Sequence, residues 1–463
     1  MNRREFIRGL KGMTADASGI LHSGPPIDAT DADRGPPATT EVVVIGGGIV
    51  GVSTALALAR RGVPVTLCEK GALAAEQSSR NWGWVRNMGR DPRELPLMIE
   101  AMRIWGDIEE RLGGTGFRRS GILYLCRDER EMAARSRWLP YAQEFQLDTR
   151  LIGPDEVARV LPGSTQRWVG ALYTPSDARA EPQKAVSVLA RGARQLGATI
   201  VVNCAARAIE TTAGRVSSVL TEKGPIACKA VVLAGGAWSR LFCRSLGLTL
   251  PQLKVLASVM RVDGIDNGPE SAAWGPGFAF RKRLDGGYTV ANGAPNIADI
   301  VPDSFRFLRA FFPLLRIERR GIRLRLGRRF VEEAFCPSRW DAGRRTPFEA
   351  NRVLDPKPAV HLLDSALRRL GELFPAFRNA IVRQRWAGLI DAMPDALPVI
   401  SGVEGLPGFF IATGFSGHGF GIGPAAGQLM AELVTNAQPL VDPTPFRFSR
   451  FSDGSPLKPM TGL

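Results

Sequence analysis

Three glycines early in the chain have the spacing of a backbone site for a phosphate-containing ligand. Gly46, Gly48 and Gly51 form a G-x-G-x-x-G pattern directly after the apolar run 42–45, which is typical of a buried parallel strand. The first glycine permits a tight turn, the second lets a pyrophosphate approach the backbone, and the third lets a following helix pack on the strand. The pattern therefore indicates a turn that holds a diphosphate.

The elements after this turn complete a dinucleotide-binding unit. A helix is predicted over residues 53–62, closed by a glycine, and a second strand over residues 63–67. Glu69 ends that strand, where its carboxylate can accept hydrogen bonds from a ribose. A helix N-terminus facing the turn favours the negative charge of a diphosphate. Strand, glycines, helix and acid together predict dinucleotide binding.

Two further glycine-rich turns occur later in the chain. Ala234, Gly235 and Gly236 follow an apolar run over residues 226–233, which is predicted as one strand. The glycine-rich run 413–423 precedes Pro424, which suits the first turn of a helix predicted over residues 425–434. Such turns let backbone approach a flat or anionic ligand closely.

Length and charge set bounds on the rest of the molecule. With 463 residues the chain is expected to form two or three domains. Its net charge of +15 favours non-specific attraction to anionic surfaces without identifying a partner. The run 317–329 is rich in arginine, and alternation of Ile322, Leu324 and Leu326 with arginines predicts a strand with one solvated face. An anion-binding or nucleic-acid surface is the alternative.

Metal and export signals are weak. The six cysteines form no C-x-x-C pair and there are three histidines, so no metal site is predicted. The N-terminal residues 2–8 resemble a twin-arginine export signal, but the apolar region of such a signal is missing. We expect residues 1–39 to be a flexible tail, with no transmembrane anchor, and the protein to be cytoplasmic. Twin-arginine export to the periplasm is the alternative.

The order of these motifs resembles the FAD-dependent D-amino acid oxidase superfamily, which includes sarcosine, glycine and L-amino acid oxidases. The resemblance covers about residues 40–451. It rests on five separated motifs, which are the Gly46–Gly51 fingerprint, Glu69, Ala234–Gly236, Met393–Pro398 and Gly414–Phe420. Further segments are most similar to bacterial L-amino acid oxidases and L-amino acid deaminases, namely Glu76–Arg80, Asn203–Arg207, Thr221–Ile226, Trp340-Asp341, Pro347–Glu349 and Phe374–Phe377.

The resemblance implies FAD as cofactor and a set of residues that contact it. These are Gly46, Gly48, Ile49, Val50, Gly51, Glu69, Lys70, Gln77, Ser78, Ser79, Arg80, Ala206, Ala234, Gly235, Gly236, Gly414, Gly417, His418 and Gly419. No cysteine occurs in the segment 386–393, where some relatives attach FAD, so the FAD is expected to be non-covalent. The strand 288–291 carries no lysine of the kind that activates oxygen in several oxidases, which leaves the electron acceptor open.

The catalytic site is expected to need an arginine for the substrate carboxylate and an apolar enclosure, because the flavin performs the difficult step. The resemblance selects Arg281, on a hairpin over residues 277–291, as the carboxylate anchor, and Arg86 is the fallback. A solvated basic hairpin is the alternative interpretation. Trp386 and Phe415 are expected at the flavin, while Trp82 and Trp84 are either part of the enclosure or ordinary core residues.

The fold class predicted is α/β. A Rossmann-type FAD-binding domain with a parallel sheet is assigned to residues 40–85, 181–245 and 386–445. An α+β substrate-binding domain is assigned to residues 86–180 and 246–385, so that both domains are discontinuous.

The function predicted is oxidative deamination of an amino acid, of L configuration by resemblance, to a 2-oxo acid, ammonia and hydrogen peroxide. Two alternatives stay open: an amino acid or secondary amine dehydrogenase that passes electrons to a quinone or carrier, and a flavoprotein that acts on tRNA. The expected partners are an amino acid and O₂ or another acceptor, without a specific nucleic acid. A homodimer is left open.

Overall fold

A computed structural model describes residues 23–460. The twin-arginine pattern lies outside this range. The helices are α1 Ile49–Arg60, α2 Gln77–Arg80, α3 Leu95–Leu112, α4 Glu129–Ser136, α5 Leu139–Glu144, α6 Pro154–Val160, α7 Pro182–Gln195, α8 Ser239–Ser245, α9 Pro302–Arg306, α10 Leu308–Ile317, α11 Arg328–Ala334, α12 Pro347–Ala350, α13 Val360–Leu373 and α14 Gly419–Val434.

The strands are β1 Val42–Ile45, β2 Val65–Cys68, β3 Trp84–Val85, β4 Arg118–Arg119, β5 Ile122–Cys126, β6 Arg150–Ile152, β7 Gly170–Thr174, β8 Ala178–Arg179, β9 Thr199–Val201, β10 Ala206–Thr212, β11 Arg215–Thr221, β12 Gly224–Ala227, β13 Ala230–Leu233, β14 Leu253–Asp263, β15 Ala272–Gly275, β16 Phe278–Lys282, β17 Tyr288–Ala291, β18 Asn296–Ile300, β19 Ile322–Leu326, β20 Ile381–Ala392, β21 Val399–Gly402 and β22 Phe409–Thr413.

A six-stranded sheet in the order β21-β22-β13-β1-β2-β9 carries the glycine fingerprint. Its strands are parallel except for β21, and β1 lies between β13 and β2. Every residue of β1, β2 and β13 is buried, which explains their continuous apolar sequences, because a parallel sheet is covered on both faces. Helices α1 and α14 pack on this sheet, where Gly427 allows close contact with Ser53. The predicted Rossmann-type fold is confirmed.

A second, mainly antiparallel sheet faces the first across the cavity described below. Its strands run in the order β19-β18-β14-β17-β16-β15-β5-β7-β6, and β20 pairs with β14 along eleven residue pairs. The aromatic core of this sheet includes Phe278, Phe280 and Tyr288, packed against α13. Smaller three-stranded sheets join β10, β11 and β12, and β3, β8 and β4.

Two elements cross the predicted domain division. Helix α3 packs its apolar face in the core of the six-stranded sheet, although the predicted boundary at residue 86 assigns it to the substrate domain. Strand β20 belongs to the large sheet up to Ala392, although the boundary at residue 386 assigns its second half to the FAD domain. The packing therefore favours a boundary near Met393 rather than Trp386.

Two predicted elements need correction. The single strand over residues 226–233 is two strands, because Cys228 and Lys229 carry the chain from the three-stranded sheet into the six-stranded one. The C-terminal helix begins at Gly419 and not at Ala425, so Pro424 lies inside the helix and not in its first turn. The earlier start brings the helix N-terminus to the cavity.

The arginine-rich strand β19 forms, but neither of its faces is covered. It is the edge strand of the large sheet, and Leu324 and Leu326 are 62% and 71% exposed. Arg325 makes a two-fold contact with Asp299, at 2.6 and 3.0 Å. The predicted single solvated face is therefore wrong, because nothing within residues 23–460 covers the leucine side.

The described part of the predicted tail lies against the body of the protein. Asp33 accepts a hydrogen bond from the Ile200 amide and pairs with Arg194, while the Asp28 amide donates to the Gln183 carbonyl oxygen. Residues 28 and 33 of the predicted flexible tail thus make specific contacts with the body of the protein. Across residues 23–460, none of the helices combines the length and apolarity needed to cross a bilayer.

Candidate cofactor and active site

A cavity of about 280 Å³ lies at the carboxyl ends of β1, β2 and β13. The fingerprint turn and the start of α14 form one side, and residues of β14 and β20, including Val259 and Ile390, form the opposite side. Ligands of open parallel sheets bind at this edge of the strands. The cavity is thus bounded by both sheets.

The fingerprint turn has the geometry of a backbone cradle. Gly46 has a φ of +115°, and a Cβ there would lie 2.4 Å from the Ala234 carbonyl oxygen. A Cβ on Gly51 would lie 2.0 Å from the Gly46 carbonyl oxygen. A Cβ on Gly48 would instead meet Ser78 Oγ, at 3.1 Å, in the cavity wall. The Ile49 amide at the start of α1 donates to Ser78 Oγ, at 2.9 Å.

Glu69 links the turn to the end of β2. Its two carboxylate oxygens accept hydrogen bonds from the amides of Gly47 and Gly71, each at 2.7 Å. Burial raises the pKa of Glu69 above its ordinary value. A carboxylate keeps further lone pairs, so these two bonds leave it able to accept from ribose hydroxyls. The glycine cradle and this acceptor fit the diphosphate and ribose of a dinucleotide.

Most predicted cofactor residues line this one cavity. They are Gly46, Gly48, Ile49, Val50, Glu69, Lys70, Gln77, Ser78, Arg80, Ala206, Ala234, Gly235, Gly236, Gly417, His418 and Gly419. The structure therefore brings together segments that are far apart in the sequence.

Gly51, Ser79 and Gly414 do not line the cavity. Gly51 sits against the backbone of Gly46, where the helix packs on the turn. Ser79 is fully buried, and its hydroxyl donates to the Glu76 carbonyl oxygen, at 3.3 Å. The Gly414 amide donates to Asp391, at 2.8 Å. These three residues support the walls of the cavity and do not face it.

Arg281 is not placed as the sequence predicts. Its two terminal nitrogens contact the two oxygens of Glu181, at 2.8 and 2.9 Å, and its Nε donates to the Trp82 carbonyl oxygen. The side chain is 1% exposed and lies outside the cavity lining. A guanidinium whose fork already holds a buried carboxylate is not available to a substrate. Arg281 instead fixes the loop that carries Trp82.

The two other predicted catalytic residues differ in position. Phe415 lines the cavity beside His418. Trp386 is outside the lining and 1% exposed, and its Nε1 donates to the Arg80 carbonyl oxygen, at 3.0 Å. Trp386 therefore positions the loop of Arg80 and does not face the cavity as predicted.

An arginine and a group of tryptophans form the end of the cavity where Arg281 was expected. Arg86, Trp82, Trp84 and Trp274 all line it. Trp82 packs edge-on against Trp84 and Trp274, with ring centroids 5.1 and 5.9 Å apart. Trp84 Nε1 is buried without a hydrogen-bond partner among residues 23–460. Arg86 is the predicted fallback anchor, whereas no pattern in the sequence indicates that Trp274 reaches the cavity.

A second arginine, Arg90, also lines the cavity. It is buried, and its Nη1 is 3.9 Å from Glu94 Oε2. Burial, together with the neighbouring positive charge of Arg86, lowers the pKa of Arg90 to about 10. His418 Nδ1 lies 3.1 Å from the same oxygen of Glu94. Arginines thus bring positive charge to the cavity end that the tryptophans enclose.

The described residues hold no group of three or more His, Cys, Asp or Glu side chains that could bind a metal ion.

A family model described as FAD dependent oxidoreductase matches residues 41–433.

Solved structures of two deaminases are similar to the chain along most of its length. L-amino acid deaminase from Proteus myxofaciens, in complex with anthranilate, is 34% identical with a TM-score of 0.89, covering 93% of this chain and 98% of that one. L-amino acid deaminase from Proteus vulgaris is 31% identical with a TM-score of 0.87, covering 92% and 100%. Mitochondrial sarcosine dehydrogenase from Mus musculus is 24% identical over 90% of this chain, which spans 42% of that protein's length.

Proposed function

Since the chain belongs to the family of FAD-dependent oxidoreductases, we propose that it oxidises the Cα–N bond of an L-amino acid. Loss of two electrons and two protons gives an imino acid, which water hydrolyses to a 2-oxo acid and ammonia. FAD, when it is bound, accepts the two electrons. The observation that carries the proposal is the arginine and tryptophan lining that continues directly from the cofactor cradle.

Arg86 is the carboxylate anchor in this proposal. A guanidinium pairs a carboxylate through two parallel hydrogen bonds, which fixes the orientation of Cα as well as its position. Tyr124 lies beneath the Arg86 guanidinium, with 5.8 Å from Cζ to the ring centroid, and supports its plane. This arrangement replaces Arg281 with a residue that faces the cavity.

The tryptophans supply the enclosure. The ring of Trp82 stands nearly perpendicular to those of Trp84 and Trp274, and the three rings exclude water from the space beside Arg86. Removal of water strengthens the pairing of Arg86 with a carboxylate. Flat apolar walls of this kind suit a large apolar or aromatic side chain.

Non-covalent attachment of FAD is part of the proposal. The segment 386–393, where some relatives attach FAD, has no cysteine. Cys68 does line the cavity, but it lies at the end of β2 beside Glu69, which is the proposed ribose acceptor. We therefore expect denaturation of the yellow protein to release all of its FAD. Flavin that stays with the denatured chain would contradict this part of the proposal.

Anaerobic mixing with L- and D-amino acids tests the proposed reaction. We expect L-amino acids to bleach the flavin absorbance, and air to restore it with formation of hydrogen peroxide. Bleaching by D-amino acids alone would contradict the L preference. No bleaching by any amino acid, from a protein that holds FAD, would contradict the function.

A dehydrogenase that passes electrons to an acceptor at a membrane is the second candidate. The observation that favours it is that the arginine-rich segment 305–335 exposes several large apolar side chains, including Phe305, Phe312, Leu324, Leu326 and Phe335. Exposed apolar and basic side chains together complement an anionic lipid surface. Reduced enzyme that air reoxidises slowly and a quinone reoxidises quickly, together with binding to vesicles containing phosphatidylglycerol, would favour this candidate.

A further inference from the structure

A buried carboxyl group at the start of α3 contacts a buried imidazole at the start of α14, the helix whose first residues line the cavity. Glu94 directly precedes α3, and His418 directly precedes α14. The Glu94 side chain is fully buried and that of His418 is 5% exposed, and His418 Nδ1 lies 3.1 Å from Glu94 Oε2. His418 also lines the cavity. Its other nitrogen, Nε2, takes no hydrogen bond from residues 23–460.

Four charged side chains face this pair, and they affect the pKa values of both members. Arg86, Arg90, Asp91 and Arg93 face Glu94, and the first three also face His418. Arg93 contacts Asp91, at 2.7 Å, so these two largely neutralise each other. Burial raises the pKa of Glu94 to about 7, and burial with the two remaining arginines lowers the pKa of His418 well below its ordinary value. The imidazole is therefore neutral at pH 7, while Glu94 is close to half protonated.

A neutral imidazole carries one N–H, and the partner of Nδ1 decides where it lies. When Glu94 is protonated, its O–H donates to Nδ1, so the ring proton is on Nε2. When Glu94 is ionised, Nδ1–H donates to the carboxylate, and Nε2 has a free lone pair. Protonation of Glu94 thus changes His418 Nε2 from a hydrogen-bond acceptor to a hydrogen-bond donor.

We propose that Glu94 is a positioning residue that sets the tautomer of His418, so that Nε2 is a donor to the cavity when Glu94 is protonated and an acceptor when it is ionised. In the acceptor state Nε2 can hold an N–H of the substrate amine, and in the donor state it can hold an oxygen. The use of a substrate amine rests on the proposed function, whereas the switch itself does not.

The visible spectrum of the FAD-bound protein reports the switch without turnover, because the flavin absorbance responds to hydrogen bonding beside it. We expect the wild-type spectrum to change between about pH 5.5 and about pH 8.5, with a midpoint near pH 7. Glu94→Gln removes the titrating group and should abolish the transition. His418→Phe removes the group that transmits it and should abolish the transition as well.

Asp177→Asn is the matched control. Asp177 is a second buried carboxyl group whose pKa burial raises to about 7, but it accepts from the amides of Asn87 and Met88 and is outside the cavity lining. This variant should keep the transition. A transition that persists in Glu94→Gln or His418→Phe, or that disappears in Asp177→Asn, would overturn the proposal. Should Glu94→Gln fail to hold FAD, His418→Phe alone decides.

Failure of this proposal is distinguishable from failure of the proposed function. The spectral titration needs bound FAD but no amino acid, so a protein that no amino acid reduces can still show the switch. For an active enzyme, the pH dependence of kcat/KM should lose its inflection near pH 7 in Glu94→Gln. A change in stability alone would leave that inflection in place.

Discussion

Arg86 and Arg281 differ in whether they are available to bind a substrate carboxylate, because their partners differ. Arg86 faces the cavity, while the fork of Arg281 is filled by Glu181. Loss of a charge-assisted pair removes about 1.5–3 kcal/mol, and each 1.4 kcal/mol is about tenfold in affinity. Arg86→Ala should therefore raise KM for amino acids about 10- to 100-fold at unchanged FAD content, as steady-state kinetics would measure. Arg283→Ala, whose arginine pairs with Asp285, is the control.

Arg281 should matter for stability and not for substrate binding. Arg281→Ala leaves the buried Glu181 carboxylate without its partner, and breaking a buried ion pair costs about 3–5 kcal/mol. We expect a matching drop in the free energy of unfolding in urea, with KM changed little in the protein that remains folded. Normal stability together with a tenfold rise in KM would return the anchor to Arg281.

At the scale of the element, the glycines of the fingerprint have different tasks: Gly48 leaves room for FAD, and Gly51 lets α1 pack on the turn. Gly48→Val places a side chain in the cavity beside Ser78 and should empty the FAD site, as the ratio of flavin to protein absorbance would show. Gly51→Ala meets the Gly46 carbonyl oxygen and should also lower stability by about 1–3 kcal/mol. Gly106→Ala, within α3 and without a close neighbour, should leave the FAD content unchanged and raise stability by about 0.5–1 kcal/mol.

Local patterns predicted the elements whose causes are local. The run 42–45, the glycine turn and Glu69 follow from strand burial and turn geometry, and they lie as expected. The role of Arg281 depends on Glu181, which is 100 residues away in sequence, so no pattern around Arg281 announces that pairing. Trp274 reaches the cavity only because β15 pairs with β5 and β16. The positions of Arg281 and Trp274 depend on such long-range pairing, and local sequence patterns could not predict them.

At the scale of the whole molecule, buried carboxyl groups make folding stability depend on pH. Asp177 has a folded-state pKa near 7, above its unfolded value, so its contribution to stability is full below about pH 4 and is lost as pH rises through 7. Asp177→Asn removes that loss. The variant should gain roughly 2–4 kcal/mol relative to wild type on going from pH 5 to pH 8, measured by urea unfolding at both values. An equal difference at both pH values would contradict the assignment.

The open edge of β19 bears on how the protein behaves when it is concentrated. A strand edge with unpaired backbone groups and exposed leucines can accept a strand from another molecule and begin aggregation. Arg325 is paired with Asp299, but Arg323 and the net charge of +15 give two approaching copies charge of the same sign. The range of that repulsion shortens as salt is added, to about 3 Å at 1 M. The positive charge therefore opposes aggregation through this edge, and its effect weakens at high ionic strength.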